Sequence, residues 1–157
     1  MSGARIAPGS GEANVATGVP LLDHLLTEFA AAGSFDLSLE IDPGEPAAEV
    51  DAAGVAVGRA IAPLLRSGAH GSGVMLAAEA LAMVVVEASG QALVASNADL
   101  TGAGGLGTDI AARFLTALTD TALLTLHVRL IEGENTDHVL EAIFKALGVS
   151  LADALNS

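Results

Sequence analysis

The sequence predicts an α+β protein in which two similar halves bury their helices between two sheets. Hydrophobic residues make up 52% of the 157 residues, so the chain can form a substantial core. Helix-like and strand-like patterns alternate along it, and their order recurs after a shift of 89 residues. We expect a single domain over 1–157, composed of two repeats of about 1–70 and 71–157.

The first half shows a helix, a strand and a second helix in that order. Pro20 and Gly33 bracket an apolar face, as residues at the start and end of a helix do. Apolar and polar residues then alternate over 35–41, which is the pattern of a strand with one solvent-exposed face. The segment Asp42-Pro43-Gly44-Glu45-Pro46 ends this strand. Apolar residues recur near helical spacing from about 50 to 65, although the two glycines there each cost about 1 kcal/mol of helix stability.

The second half begins with a mostly apolar stretch, 73–97, that predicts a hairpin turning at Ser89-Gly90. A glycine-rich loop, a helix, a strand and a last helix are expected over 97–107, 110–118, 124–130 and 139–147. Shifting the first half by 89 residues places like elements on like elements. Six positions are then identical: Leu26/Leu115, Thr27/Thr116, Leu37/Leu126, Gly44/Gly133, Glu45/Glu134 and Val50/Val139.

The charge of the chain excludes several classes of partner. Nineteen acidic residues against six basic ones give a net charge of −13, which repels phosphate backbones and anionic lipid headgroups. The longest apolar stretch, 74–86, is too short to cross a bilayer, and it contains Glu79. We therefore expect a cytoplasmic protein that binds neither nucleic acid nor membranes. The absence of cysteine excludes disulfides and thiolate metal sites.

Two pairs of residues have the spacing of a metal or acid–base site. His138 and Glu141 lie three apart on one predicted helical face, where an imidazole and a carboxylate can share a metal ion. His24 precedes Glu28 by four residues in the first helix. Each pair taken alone also fits an exposed helix surface with a favourable local contact. His127 falls on the solvent-exposed face of its predicted strand, and we assign no function to it.

Several segments resemble one enzyme family. Residues 17–26, TGVPLLDHLL, are similar to a TGxxFFDHML signature, and 33–37, GSFDL, to the GGFDL that follows it. The segment LHVRL over 126–130 and the stretch 135–147 are similar to a closing LHIRLL…NxHHxxEAxFKAL. These blocks occur in the family's order and span nearly the whole chain. The family is imidazoleglycerol-phosphate dehydratase, a lyase of histidine biosynthesis.

The resemblance implies a fold and an assembly. It implies two ββαββα-type half-domains with a four-helix layer between two mixed sheets, as the repeat already suggests. The family's N-terminal strand, whose TxET supplies a glutamate for acid–base work, has no counterpart, so the first strand is expected to be missing. The resemblance also implies a homo-oligomer: trimers, which in the family assemble into 24-subunit shells held at dinuclear manganese sites.

Matching the family's metal ligands to this chain leaves a damaged site. The family's first HHxxE box falls on 47–51, where two alanines replace the imidazoles and Asp51 replaces the glutamate. Ser72 and Asp137 stand where two further histidines are expected. Three ligand positions match unchanged. The candidate metal residues that remain are His24, Asp51, Asp137, His138 and Glu141.

The catalytic and phosphate-binding positions are also depleted. Gly68 and Ala69 replace an arginine pair, and Gln91 stands where the family has another arginine. Lys145, the only lysine in the chain, matches the family's FKAL, and Glu79 matches the glutamate of its DEAL. Glu79 and Lys145 are the candidate catalytic residues.

These losses favour a member of the family without dehydratase activity and without a resident cofactor. The main alternative is a repurposed lyase or isomerase with a rebuilt metal or acid–base site, which would use manganese or another divalent ion and a different small-molecule ligand. Carboxylates at Asp51 and Asp137 favour it, since they suit hard divalent cations. A further alternative is a partner subunit of a true dehydratase.

Overall fold

The computed structural model describes residues 2–100 and 109–157. Seven strands and four α-helices are present in these ranges, together with one short 3₁₀ turn at Ala62–Leu64. Their bounds, in chain order, are β1 Gly3–Pro8, β2 Ala13–Ala16, α1 Pro20–Gly33, β3 Phe35–Glu40, α2 Pro46–Ile61, β4 His70–Ala77, β5 Ala80–Glu87, β6 Leu93–Ser96, α3 Ile110–Ala122, β7 Thr125–Glu132 and α4 Thr136–Leu155.

Two mixed sheets enclose the helices. The first has the order β1-β3-β2, in which β3 is antiparallel to β1 and parallel to β2. The second has the order β4-β5-β7-β6, in which β7 is antiparallel to β5 and parallel to β6. Strands β5, β7 and β6 therefore repeat the arrangement of β1, β3 and β2. Strand β4, on the outer edge of β5, has no counterpart in the described part of the first repeat.

The helix ends show the same repeat. Helix α1 is followed by Ser34 and α3 by Leu123, 89 positions later, and both residues adopt the left-handed backbone conformation with φ of 54° and 55°. A strand starts directly after each of them. The predicted duplicated α+β fold is thus confirmed. The predicted first and second helices and the strand between them are also found, although α2 begins at Pro46 and ends at Ile61.

The predicted hairpin of the second half is wrong in one respect. The chain reverses at Ala78–Glu79, between β4 and β5, because Ala78 adopts a left-handed conformation with φ of 51°. Residues 93–96 after Ser89-Gly90 form β6, which pairs with β7 and not with β5. Residues 101–108 of the predicted glycine-rich loop lie outside the described residues.

The core is formed by the inner faces of the sheets and by four helices packed in pairs, α1 with α4 and α2 with α3. One cluster of buried apolar side chains includes residues of both repeats. Helices α1 and α4 approach most closely at two glycines. A Cβ on Gly148 would lie 2.2 Å from the carbonyl oxygen of Phe29, and one on Gly33 would lie 2.6 Å from the carbonyl oxygen of Gly148.

This close approach predicts that Gly148→Ala destabilises the protein. The added methyl group would meet backbone atoms of α1, which cannot move without separating the helices, so we expect a loss of about 2–3 kcal/mol despite the higher helix propensity of alanine. Urea unfolding measures the change. Gly44→Ala is the control, because a Cβ there meets nothing within 4 Å. Equal stability of the two variants would contradict the close packing.

Candidate functional site on the α1–α4 helix pair

Two of the predicted site residues meet across 117 positions of sequence. His24 of α1 and Glu141 of α4 form a hydrogen bond of 2.9 Å between Nε2 and Oε1. A carboxylate oxygen accepts, so Nε2 of His24 is the donor, and in the neutral imidazole this leaves Nδ1 without a proton. The contact exists because α1 and α4 run in the same direction and pack closely, which aligns His24 with Glu141 and Glu28 with Lys145.

The residue before His24 fixes the start of α1. Asp23 Oδ1 accepts hydrogen bonds from the backbone N–H and the hydroxyl of Thr17, at 2.9 and 2.6 Å. Thr17 is fully buried, and its hydroxyl oxygen accepts in turn from the N–H of Val19. Asp23 therefore secures the loop that enters α1, while His24 faces α4. The sequence alone does not predict this role, because an acidic residue such as Asp23 is common in the first turn of a helix.

The second pair joins His138 to Glu79. Asn135 caps α4 by accepting a hydrogen bond from the backbone N–H of His138, which sets the position of the imidazole. The Nδ1 of His138 donates to Glu79 Oε1 at 2.5 Å. Glu79 lies in the turn between β4 and β5, and its Oε2 accepts from the N–H groups of Glu134 and Asn135 at 3.2 Å each.

These contacts lower the pKa of Glu79 to about 2, from an ordinary value of 4.5. The largest cause is the hydrogen bond from His138. Burial, the second-largest influence, opposes the shift by raising the pKa, and backbone N–H groups, those of Asn135 and Glu134 among them, lower the pKa further. Glu79 is thus ionised at any physiological pH and holds His138 in the tautomer that leaves Nε2 as the basic nitrogen.

Lys145 completes one face of α4. His138, Glu141 and Lys145 follow one another at spacings of three and four residues, so they line a single helical face. We call these three residues the α4 row. The Nζ of Lys145 donates to the backbone carbonyl of Leu76 at 3.4 Å and lies 3.9 Å from Glu28 Oε2.

Asp51 lies apart from the α4 row, on α2. Arg113 of α3 binds it with two parallel hydrogen bonds, Nε to Oδ1 at 3.1 Å and Nη2 to Oδ2 at 2.8 Å. Arg113 lies 89 positions after His24. Asp51 lies 90 positions before Glu141, and 90 is the shift that relates α2 to α4 in the structure, since these helices begin at Pro46 and Thr136. The Arg113–Asp51 pair therefore occupies the place in one helix pair that His24–Glu141 occupies in the other.

The other positions that the family resemblance matches to metal ligands lie outside the two imidazole–carboxylate pairs. Asp137 is exposed in the first turn of α4, where the helix dipole favours an acid. Ala47 and Ala48 lie in the first turn of α2 and offer no donor atom. Ser72 on β4 uses its backbone N–H to bind Asp153 Oδ2.

The donor set within one chain does not fit a resident metal ion. Across 2–100 and 109–157, no three His, Asp or Glu side chains converge on a common point. Each imidazole of the site has one carboxylate partner, and both oxygens of Asp51 are bound by Arg113.

No helix in the described ranges is both long and apolar enough to span a membrane.

The fold and the site define a class: duplicated α+β proteins with a helix layer between two mixed sheets and two imidazole–carboxylate pairs along helix α4. A family model described as imidazoleglycerol-phosphate dehydratase matches residues 17–151. The chain belongs to the imidazoleglycerol-phosphate dehydratase family, whose reaction is part of histidine biosynthesis.

Relatives and solved structures agree with this membership. The imidazoleglycerol-phosphate dehydratase of Acetivibrio thermocellus is 37% identical, over 93% of this chain and 80% of the relative. That of Desulforudis audaxviator is 35% identical, over 93% and 79%. The crystal structure of the Staphylococcus aureus enzyme is similar with a TM-score of 0.85 at 30% identity, over 97% of this chain and 91% of that one. The Pyrococcus furiosus enzyme in complex with (S)-C348, at 24% identity and a TM-score of 0.78 over 95% and 85% of the chains, supports the fold alone.

The geometry predicts that His138→Ala raises the pKa of Glu79 from about 2 towards 4.5. The largest cause of the shift is removed, while the two backbone N–H groups remain, so the return is incomplete. In the intact protein this carboxylate stabilises the fold fully above pH 4.5, and the contribution is lost as the pH falls towards 2. Carboxyl NMR titration measures the pKa. Asp137→Ala is the control, and an unchanged Glu79 pKa in His138→Ala would contradict the assignment.

Proposed function

We propose that this chain keeps the family's fold but does not catalyse the dehydration of imidazoleglycerol phosphate. The observation that carries the proposal is the bidentate Arg113–Asp51 pair. It places a guanidinium, which cannot bind a metal, opposite the carboxylate at a family ligand position. Relatives of this chain carry the name imidazoleglycerol-phosphate dehydratase. The proposal is therefore that this chain has diverged from them in activity while keeping their fold.

The metal positions of the first repeat support the proposal. The family resemblance assigns two imidazole ligands to positions 47 and 48, and alanine has no donor atom. Asp51 has its two oxygens bound by Arg113, so a metal ion would have to displace a charge-assisted pair. Both side chains of that pair are partly exposed, at 37% and 46%, so solvent screens the attraction between them.

Phosphate binding is poorly supported as well. Phosphate sites in proteins use several Arg or Lys donors or backbone N–H groups. Lys145 already lies between the Leu76 carbonyl and the Glu28 carboxylate, and the net charge of −13 opposes a phosphorylated ligand. The proposed ligand is therefore a small molecule without a phosphate.

Assembly and location belong to the same proposal. We propose a cytoplasmic homotrimer, because the family's metal sites that join trimers into shells are those most altered here.

A second candidate function rests on the two imidazole–carboxylate pairs. Glu79 and Glu141 each hold one ring nitrogen, which leaves Nε2 of His138 and Nδ1 of His24 as bases or ligands. Such pairs suit proton transfer, so a repurposed lyase or isomerase could use them with Lys145. With donors from a neighbouring subunit, the same nitrogens could hold a divalent ion, which the single chain does not.

For the first candidate, we expect turnover of imidazoleglycerol phosphate at least about 100-fold below that of a family member assayed alongside it with manganese. The reason is the lost ligands and phosphate donors. The Acetivibrio thermocellus relative serves as the reference enzyme. Turnover within about tenfold of the reference would contradict the proposal.

Metal binding separates the two candidates. If an assembled site binds manganese, zinc or nickel, folding gains about 2.7 kcal/mol at a hundredfold excess over the Kd, which is several degrees of melting temperature. Without such a site, adding these ions after chelation leaves the melting temperature unchanged, as we expect.

The control is the double variant His24→Ala/His138→Ala. A metal-dependent rise in melting temperature that this variant abolishes would favour the repurposed enzyme. A rise that persists in it would indicate binding elsewhere and would leave the site without a metal.

A further inference from the structure

The outer face of the second sheet is apolar. Directly opposite residues of β4 and β5 share a face, and the outward pairs include Val74 with Met83 and Leu76 with Leu81. Val85, two residues after Met83, lies on the same face. Val74 is 52% exposed, Leu76 64% and Val85 37%. We call these five residues the outer apolar patch.

The first sheet shows that the fold does not require such a face. Arg5 pairs with Ser38, and Val85 pairs with His127, which follows Ser38 by 89 positions. Val85 therefore stands where the first repeat has Arg5. The other outward residues of β1, β2 and β3 are small or polar: Gly3, Ala7, Asn14, Ala16, Asp36 and Glu40. The same three-stranded arrangement is thus solvated in one repeat and apolar in the other.

The outer apolar patch lies in a region poor in acidic residues. Along β4, β5 and β7, the alternate outward positions of 70–76, 81–87 and 125–131 carry a single acid, Glu87, at the end of β5. Arg129 and His127 lie beside the patch on β7. A net charge of −13 makes two copies of this chain repel each other. Contact through this face keeps most of that acidic charge away from the second copy.

Within 2–100 and 109–157, no other surface matches the patch. Of the large exposed apolar residues outside it, Leu64 and Leu123 lie singly, at the ends of a 3₁₀ turn and of α3. Leu93 and Ile131 lie on β6 and β7 of the same sheet. The apolar surface that a second copy offers is therefore the same patch. Such a contact uses one surface twice and has a two-fold axis.

The size of the face fits a weak but specific contact. Strands β4 and β5 have eight residues each, in a sheet of four strands. With about 3.4 Å per residue and about 4.8 Å between strands, the face covers roughly 500 Å², and a pair of faces about 1,000 Å². Specific interfaces begin at about 1,000 Å² of total buried surface. Two sheets can pack in this way about 10 Å apart, as in a β-sandwich.

We propose that two copies of this chain associate through the outer apolar patch, sheet against sheet around a two-fold axis. Val74, Leu76 and Val85 lose their exposure to water between the two sheets, which drives the association. A two-fold contact does not close a trimer, so this contact is additional to the proposed trimer. It does not depend on the absence of dehydratase activity.

Sedimentation velocity from low micromolar to near-millimolar protein tests the association. The weight-average mass is expected to rise at least twofold with concentration. Added salt is expected to tighten the association several-fold, because it screens the repulsion between acidic copies and leaves apolar burial intact. A constant mass, or weakening by salt, would overturn the proposal. The mass at the lowest concentration tests the proposed trimer separately.

Two variants with the same added charge locate the contact. Val85→Arg installs the residue that the first repeat has at the equivalent position, and it should weaken association about 100-fold or more. Leu64→Arg alters an exposed apolar residue outside the patch, 40% exposed against 37% for Val85, and should associate as the original protein does. Circular dichroism checks that both fold, and Val74→Arg repeats the test if Val85→Arg unfolds. Equal association of the patch and control variants would overturn the proposal.

Two methionines provide a direct probe of the face. Met83 belongs to the patch, whereas Met75 of β4 pairs with the buried Ala82 on the opposite face of the sheet. The methyl NMR signal of Met83 is expected to shift as the mass rises, and that of Met75 to stay unchanged. A mass increase without a shift of Met83 would place the contact elsewhere and overturn the proposal. An apolar dye that binds without any mass increase, and is lost in Val85→Arg, would assign the patch to a different partner.

Discussion

The close contact between α1 and α4 is the constraint on which the site depends. Only glycine at position 148 allows the backbone of α4 to reach the carbonyl of Phe29. With the helices this close and parallel, the side chains one and two turns earlier meet in register: Lys145 near Glu28, and Glu141 on His24. A bulkier residue at the contact would separate the helices and remove the imidazole–carboxylate pair.

The duplication provides two versions of the same contact, and they have diverged. One helix pair holds His24 against Glu141, and the other holds Arg113 against Asp51. An imidazole can give up a proton or bind a metal at neutral pH, whereas a guanidinium keeps its charge and binds the carboxylate with a planar fork. The first version keeps a side chain that can exchange a proton, and the second keeps only the attraction between the helices.

Strand β4 links the fold of the second repeat to its site. Its turn into β5 carries Glu79 to the entry of α4, where the carboxylate binds both the backbone and His138. Its edge is covered by α4, since Asp153 accepts a hydrogen bond from the N–H of Ser72. The first repeat has the corresponding helix and sheet but, in the described residues, no such strand.

The sequence by itself determined the four helices, strands β3 and β7, their repetition and the family, because hydrophobic period and motif order are local properties of the chain. It placed His138 and Glu141 on one helical face for the same reason. It did not reveal the reversal at Ala78, since a left-handed alanine carries no sequence signal comparable to glycine. Only the tertiary structure decided that His24 meets Glu141, His138 meets Glu79 and Asp51 meets Arg113. These partners lie 117, 59 and 62 positions apart, and packing of helices and strands brings them together.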